Sequence, residues 1–257
     1  MIVAAHQPSY LPWLGYFDKM AKVDLFVVMD DLPYEAQNFQ NRNRIKVNAG
    51  ANWLSVPVVR GQGDRIVDVK IDNSTPWQRR TWDLLQTHYG DAPHFASYAD
   101  ELRDVFTRTW TDLVELDLHM LELARRWLHI RVPIVRATTL SLRGTKTDRL
   151  IDLCTKLGAH AYISGSGGSN EYLDDERMGR AGIGVIWQHF DHPTYPQRYP
   201  ELGFLSHLGF LDLVLNCGDA SVDVLFDRSH PLRVQAAPAA PPSPDKNRAP
   251  TQPVVGG

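Results

Sequence analysis

His6 and Gln7 stand directly behind a short apolar run, Ile2 to Ala5, and ahead of Pro8-Ser9-Tyr10-Leu11-Pro12-Trp13-Leu14-Gly15-Tyr16. An imidazole at the end of a buried strand can accept a proton from an amine or hydroxyl near neutral pH. It can equally be a hydrogen-bonded structural histidine. Asn41-Arg42-Asn43-Arg44-Ile45-Lys46 gathers amides and three cations. Guanidinium groups bind phosphate or carboxylate through two parallel hydrogen bonds, and lysine adds a compact charge. Asn41, Arg42, Asn43 and Lys46 are therefore candidates for holding an anion, with a solvated turn as the plain alternative. Ser164-Gly165-Ser166-Gly167-Gly168 follows another apolar run. Such a loop can present backbone N–H groups to a phosphate or carbonyl oxygen. It has neither the lysine and spacing of a P-loop nor the elbow of serine hydrolases, and a simple turn is the alternative. A last cluster, Gln188, His192, Tyr195 and Gln197, surrounds two prolines and suits a hydroxyl-rich substrate.

These residues define the expected site. His6, Gln7 and His192 are its catalytic candidates. Tyr10, Trp13, Asp30, Asp31, Asn41, Arg42, Asn43, Lys46, Ser164, Gly165, Ser166, Gln188, Tyr195 and Gln197 are its substrate-binding candidates. The expectation is that His6, Gln7, Arg42, Lys46, Gln188 and His192 converge on one pocket, with His6 as the base. No metal is expected, because His6, His192 and the Asp30-Asp31 pair lack metal-ligand spacing. Cys154 shares a helical face with Leu150, Ile151 and Leu157 and reads as core.

The elements that must position this chemistry follow from hydrophobic periodicity. Ile2 to Ala5 reads as a buried strand, Tyr10 to Lys22 as a helix with Leu11, Leu14, Phe17, Met20 and Ala21 on one face, and Asp24 to Met29 as a second buried strand. Strand, helix and strand within about 30 residues is the pattern of a βαβ unit with parallel strands. Ligands in such sheets bind at the carboxyl ends of the strands. That edge is where His6 and Gln7 would meet Asp30 and Asp31. Trp53–Val59 and Ile66–Ile71 read as paired strands, 76–128 as a helical insertion, Pro133–Ser141 as a strand, and Asp148–Leu157 as a helix capped by Gly158. Ala161–Ser164 and Gly184–Phe190 read as strands and Phe210–Asn216 as a short helix. The fold class is thus α/β, a Rossmann-like parallel sheet with flanking helices and a helical insertion. Residues 1–227 form the domain. Residues 228–257, rich in Pro and Ala, form a disordered tail that cannot repay its ordering entropy.

With 257 residues and 43% hydrophobic content, the chain can bury a sizeable core. A net charge of −3 gives no case for non-specific nucleic-acid binding, though a local basic site is compatible with it. Two cysteines in unrelated contexts, no signal-peptide pattern and no spanning segment point to a cytoplasmic protein.

The segment HQPSYLPWLGYFDKM, then Asp30-Asp31, Gln40 to Lys46, and Trp53-Leu54-Ser55-Val56-Pro57 resemble the WbqC-like protein family. Later matches are Tyr162 to Gly165, Tyr172-Leu173, Gln188, His192 to Gln197, and Leu211-Asp212-Leu213 with Asn216. The stretch before Leu211 is longer than the family's usual link. Family members are associated with polysaccharide and natural-product gene clusters that decorate amino sugars. The resemblance therefore implies a transferase or ligase forming an amide, including aminoacyl or glycyl transfer, or an ester on an amino-sugar nucleotide or similar amine. The cofactor is left open, with ATP or another nucleotide as candidates. Partners would be a small-molecule amine or sugar-nucleotide substrate, with a charged tRNA or another acyl donor. The segment Pro8–Tyr16 is also similar to the HIGH loop of nucleotidyltransferases and pantothenate-synthetase-like ligases, with Trp13-Leu14-Gly15-Tyr16 in the His-x-Gly-His places and both histidines missing. A nucleotidyltransferase-like enzyme, a metal-independent glycosyltransferase and a non-catalytic binding or assembly protein are the alternatives.

Overall fold

The computed structural model describes residues 1–59, 64–165 and 173–226. Five parallel strands form the central sheet: β1 (Ile2–His6), β2 (Leu25–Val28), β7 (Ile134–Arg136), β8 (Ala161–Ser164) and β9 (Gly184–Trp187), in the order β7-β2-β1-β8-β9. β1 pairs with β2 through Val3–Leu25 to His6–Val28 and with β8 through Ile2–Ala161 to Ala4–Ile163, both in parallel. The parallel βαβ unit expected at the N-terminus is therefore present. Helix α1 (Leu14–Ala21) is its crossover.

Alternate residues of each strand face opposite sides, so the sheet separates two cores. Ala4, Phe26, Val28, Ile163 and Ile186 pack with α1 and with the helices of the insertion. Val3, Ala5, Val27 and Tyr162 pack with α5 (Lys146–Leu157) and α6 (Asp175–Arg180) on the other side. Cys154 is buried in that second core, as its helical spacing suggested. Gly158 caps α5 in the left-handed conformation, at φ 65°.

Between β2 and β7 the chain makes two antiparallel pairs and three helices. The pairs are β3 (Arg42–Val47) with β4 (Gly50–Ser55), and β5 (Val58–Val59) with β6 (Lys70–Ile71). The helices are α2 (Trp77–Tyr89), α3 (Phe95–Thr107) and α4 (Leu113–Trp127). The stretch 76–128 read as a helical insertion holds α2, α3 and α4, and the two strand pairs precede it. The Asn/Arg block is itself strand β3, because Asn43, Ile45 and Val47 alternate inward; it pairs with Gly50–Ser55, while the pairing expected of Trp53–Val59 with Ile66–Ile71 is present at Val58–Val59 with Lys70–Ile71. Residues 134–141 hold a three-residue strand followed by a 3-10 turn at Ala137–Thr139. Two short helices, α7 (Leu211–Cys217) and α8 (Ser221–Leu225), close the described chain. The expected tail lies outside the described residues. Among them, no helix is long and apolar enough to cross a membrane.

Helix α1 begins at Leu14, four residues later than the periodicity suggests. Leu11 has φ 49°, and such a backbone is strained for a leucine. Several partners hold it there. The Asn43 amide donates to Leu11 O at 2.6 Å, Tyr10 N donates to Phe39 O at 2.9 Å, and Phe210 N donates to Pro12 O at 2.9 Å. Gly209 pairs with Trp13 at this crossing, where a side-chain carbon would come within 2.9 Å of Leu11 O. The loop that carries the N-terminal motif is therefore fixed from three distant parts of the chain.

Buried polar groups lie near this loop. Asp117 of α4 is 1% exposed and neither carboxyl oxygen has a hydrogen-bond partner among the described residues; the same holds for the buried Tyr16 hydroxyl. Burial pushes the Asp117 carboxyl well above the usual carboxylate range. A raised folded value means that Asp117 contributes fully to stability only below its unfolded value of about 3.9. That contribution is lost as pH rises from there through the folded value. Asp117→Asn keeps the shape and removes the ionisation. It is expected to raise unfolding stability at pH 7 by about 1 kcal/mol or more, with the gain shrinking toward zero at pH 4. Urea denaturation at the two pH values measures this, and a loss of stability at pH 7 would contradict it.

Candidate functional site

The connections run from β1 to β2 and β7 on one side, and through β8 to β9 on the other. The order reverses between β1 and β8, and a crevice opens at the carboxyl ends of the strands flanking such a reversal. Two of the sequence candidates on either side of that point are His6 with Gln7, leaving β1, and Ser164 with Gly165, leaving β8. A third group enters from α1. The Lys19 amine donates to Ala5 O at 3.2 Å, and a side-chain carbon on Gly165 would lie 4.0 Å from it. The Ser164 hydroxyl is buried with no hydrogen-bond partner among the described residues, while its carbonyl accepts from Gln188 N at 2.7 Å. The Gln188 amide donates to Gly15 O at 2.8 Å and to Asp18 at 2.7 Å, tying β9 to α1.

The electrostatics of this group differ from those of an ordinary ion-paired surface. Lys19 is 5% exposed and has no carboxylate partner among the described residues. Its neighbour Asp18 is committed to Lys22 at 2.7 Å. Desolvation therefore lowers the Lys19 amine to about 7, where the neutral and charged forms are both present. His6 is pushed down to about 3, chiefly by burial and secondly by the charge of Lys19. Its Nδ1 lies 3.0 Å from Gln7 O, and a carbonyl can only accept, so Nδ1 carries the proton and Nε2 is left as an acceptor. The ring packs against Tyr16 at 4.7 Å. His6 is thus a neutral hydrogen-bond acceptor, and the group with a proton affinity matched to neutral pH is Lys19. Sequence reasoning missed Lys19. The signal was a charged pair, Asp18-Lys19, inside the apolar spacing from Leu14 to Ala21.

The other candidates fall into separately bonded groups. Gln7 accepts from Gln40 at 2.9 Å, at the edge of the switch point. Asp30 is fully buried and accepts from Arg136 at 2.6 Å, from the Thr138 hydroxyl at 2.9 Å and from Thr138 N at 3.0 Å; Asp31 pairs with Arg149. Both carboxylates are engaged by residues of β7, the turn after it and α5. Lys46 donates to Gly203 O at 2.6 Å and Gln197 at 3.3 Å. Asp212, buried, accepts from Tyr89, Tyr195 and Gln197 at 2.7, 2.9 and 2.6 Å. Lys46, Tyr195 and Gln197 therefore belong to one interior network that locks α7 to the β3–β4 hairpin. Asn41 donates to Val56 O at 2.8 Å and Asn43 holds Leu11. Tyr10 is fully buried above the core.

Trp13 and His192 lie on the outer side of the loop. The Trp13 indole covers Gly15, where a side-chain carbon would come within 2.2 Å of the ring. The start of α1, where a nucleotide would approach in a HIGH-type loop, is filled by that indole. His192 donates through Nδ1 to Pro193 O at 2.8 Å and accepts through Nε2 from His207 N at 3.1 Å, so both ring nitrogens are engaged. Arg42 stacks over Trp53 at 4.4 Å. Ser166 lies outside the described residues. Among the described residues no cluster of three His, Cys, Asp or Glu side chains is spaced to hold a metal ion.

The sequence profile of the WbqC-like protein family matches residues 7–224. The chain is also 34% identical over 227 residues to a Mycobacterium tuberculosis protein named "Uncharacterized protein Rv1507c", covering 87% of this chain and 96% of that one. No solved structure matches it significantly.

The buried amine has a stability signature. Between pH 7 and about 10 the unfolded chain holds a proton on Lys19 that the folded chain has released, so its contribution to stability rises with pH across that window. Below pH 7 the burial of the charge is at its full cost. Lys19→Met is expected to be more stable than the parent at pH 6, by about 2 kcal/mol or more, with the difference narrowing by pH 10. Denaturant titrations across this range check it; a variant destabilised at pH 6 would show that the ammonium is well solvated or paired.

Proposed function

The chain belongs to the WbqC-like protein family, and on that footing we propose that it acylates a small amine, forming an amide as a transferase or ligase. The acceptor is an amino-sugar nucleotide or an amine of similar size. The observation that carries this reading is the Lys19 amine, buried beside the β1–β8 reversal, without a carboxylate partner among the described residues and lowered to about 7.

An alkylammonium has no lone pair and cannot attack a carbonyl. A base with a proton affinity near neutral can take that proton and leave the free amine. In the proposed step the proton of the acceptor's ammonium passes to the neutral Lys19 Nζ. The freed nitrogen lone pair forms the new C–N bond at the activated acyl carbon. The bond from that carbon to the leaving group breaks; its electron pair departs with the leaving group, which takes up the second proton that the nitrogen loses on becoming the amide. His6 Nε2, held as an acceptor by the Nδ1 contact to Gln7 O, orients an N–H of the incoming amine. The Ser164 hydroxyl, without a hydrogen-bond partner among the described residues, is the candidate donor to the developing oxyanion.

The test joins binding to turnover. Thermal shift with ATP, sugar nucleotides, acyl-CoA and charged tRNA identifies which donor and acceptor stabilise the protein, since a ligand at a hundred times its Kd adds about 2.7 kcal/mol. With the stabilising pair, amide formation is expected to rise through pH 7 as Lys19 loses its proton. Lys19→Met is expected to lower kcat by about 10² to 10⁴ and to flatten that pH profile. His6→Ala should retain the profile at reduced rate. Full activity in Lys19→Met, or stabilisation with no transfer by any donor, would remove the reading.

A further inference from the structure

A second site is built around Trp53, on the β3–β4 hairpin. Trp53 is 42% exposed and Phe39, 5.9 Å from it, is 44% exposed, which is unusual for rings of this size. Trp53 also forms one wall of a cleft of about 310 Å³, whose other walls include Ser55, Thr75, Trp77, Arg80 and Thr81. That volume is at the lower end for small-molecule sites.

The charges around this ring are distinctive. Arg42 lies over the Trp53 ring at 4.4 Å and Arg44 at 5.7 Å, while Arg80 lines the cleft. Most arginines among the described residues sit on a carboxylate, as Arg65 does on Asp68, Arg136 on Asp30 and Arg149 on Asp31. Arg42 and Arg44 donate to backbone carbonyls, those of Gln37 and His207, and among the described residues neither they nor Arg80 has a carboxylate partner. The first turn of α2, which supplies Trp77 and Arg80 to the cleft, carries no acidic residue. An exposed indole and guanidinium groups without a carboxylate partner among the described residues share one ligand chemistry: a flat aromatic ring joined to a phosphate.

We propose that the Trp53 cleft is a nucleotide site. The base stacks on the Trp53–Arg42 pair, and the phosphate lies against Arg80. The site does not depend on the transfer reading, because none of its residues belongs to the β1–β8 switch point. The nucleotide can arrive free, as part of a sugar nucleotide, or as the unpaired end of an RNA.

Calorimetric titration of the full-length protein with AMP, UMP, a UDP-sugar, a four-nucleotide single-stranded RNA, ribose 5-phosphate and a short poly-glutamate tests this. At least one nucleotide is expected to bind about tenfold or more tightly than ribose 5-phosphate, and to quench tryptophan fluorescence. Trp53→Ala should weaken that nucleotide about tenfold or more, and Trp53→Phe should restore part of the loss. The Arg42→Ala/Arg80→Ala double variant should weaken it and reduce its salt dependence. Equal affinity for the RNA and its mononucleotide assigns a free nucleotide; a Trp53-dependent preference for the RNA assigns a strand end. Lys19→Met should bind as the parent does, which separates failure here from failure of the transfer reading. No nucleotide binding, binding unchanged in folded Trp53→Ala, or equal binding of poly-glutamate would overturn the proposal.

Discussion

A parallel sheet covered on both faces leaves its strand ends as the place where polar chemistry can meet solvent. Here the two faces are closed by the α1 side of the molecule and by α5 and α6. Residues of β1 such as Val3 and Ala4 are fully buried. Each fully buried Val, Ile or Phe contributes about 1.5–3 kcal/mol, so the sheet cannot open to make room for a substrate. Parallel strands also require crossovers long enough to return to the starting edge, and these place α1 directly behind the end of β1. Lys19 reaches Ala5 O because of that geometry.

The loop from Gln7 to Trp13 is the weakest part of this arrangement in local terms and the most heavily braced in tertiary terms. A leucine at φ 49° and two prolines would not settle alone into one conformation. Asn43, Phe39 and Phe210 fix its backbone, and the Lys46–Gln197–Asp212 network fixes the elements that carry Asn43 and Phe210. Many of the polar residues of the N- and C-terminal motifs therefore serve a common purpose. They position a rigid edge beside Lys19, which has no carboxylate partner among the described residues, the Ser164 hydroxyl, which has no hydrogen-bond partner among them, and His6. Unsatisfied polar atoms are costly in a core, and they are tolerated where a ligand completes them.

The sheet was legible in the sequence because short apolar runs alternate with helical spacing, and because each strand buried on both sides leaves a continuous hydrophobic stretch. The 42–55 hairpin was not read as such because Arg42, Arg44 and Lys46 mask the inward alternation of Asn43, Ile45 and Val47. Polar residues at the site were legible as a set but not as a geometry. Asp30 and Asp31 read as site carboxylates, yet their partners Arg136, Thr138 and Arg149 lie more than a hundred residues away. Lys19 passed unnoticed for the opposite reason. A lysine on a helix is ordinarily solvated, and only the fold shows that this one is enclosed.

The central claim is that Lys19 carries a neutral amine at the carboxyl edge of the sheet at physiological pH. Nitrogen-15 NMR of the lysine side chains, with Lys19 assigned by comparison with Lys19→Met, measures it directly. The expected titration midpoint of Lys19 in the free protein is about 7. A Lys19 midpoint near 10 would contradict the account, because the amine would then be a solvated cation with no capacity to accept a proton at neutral pH.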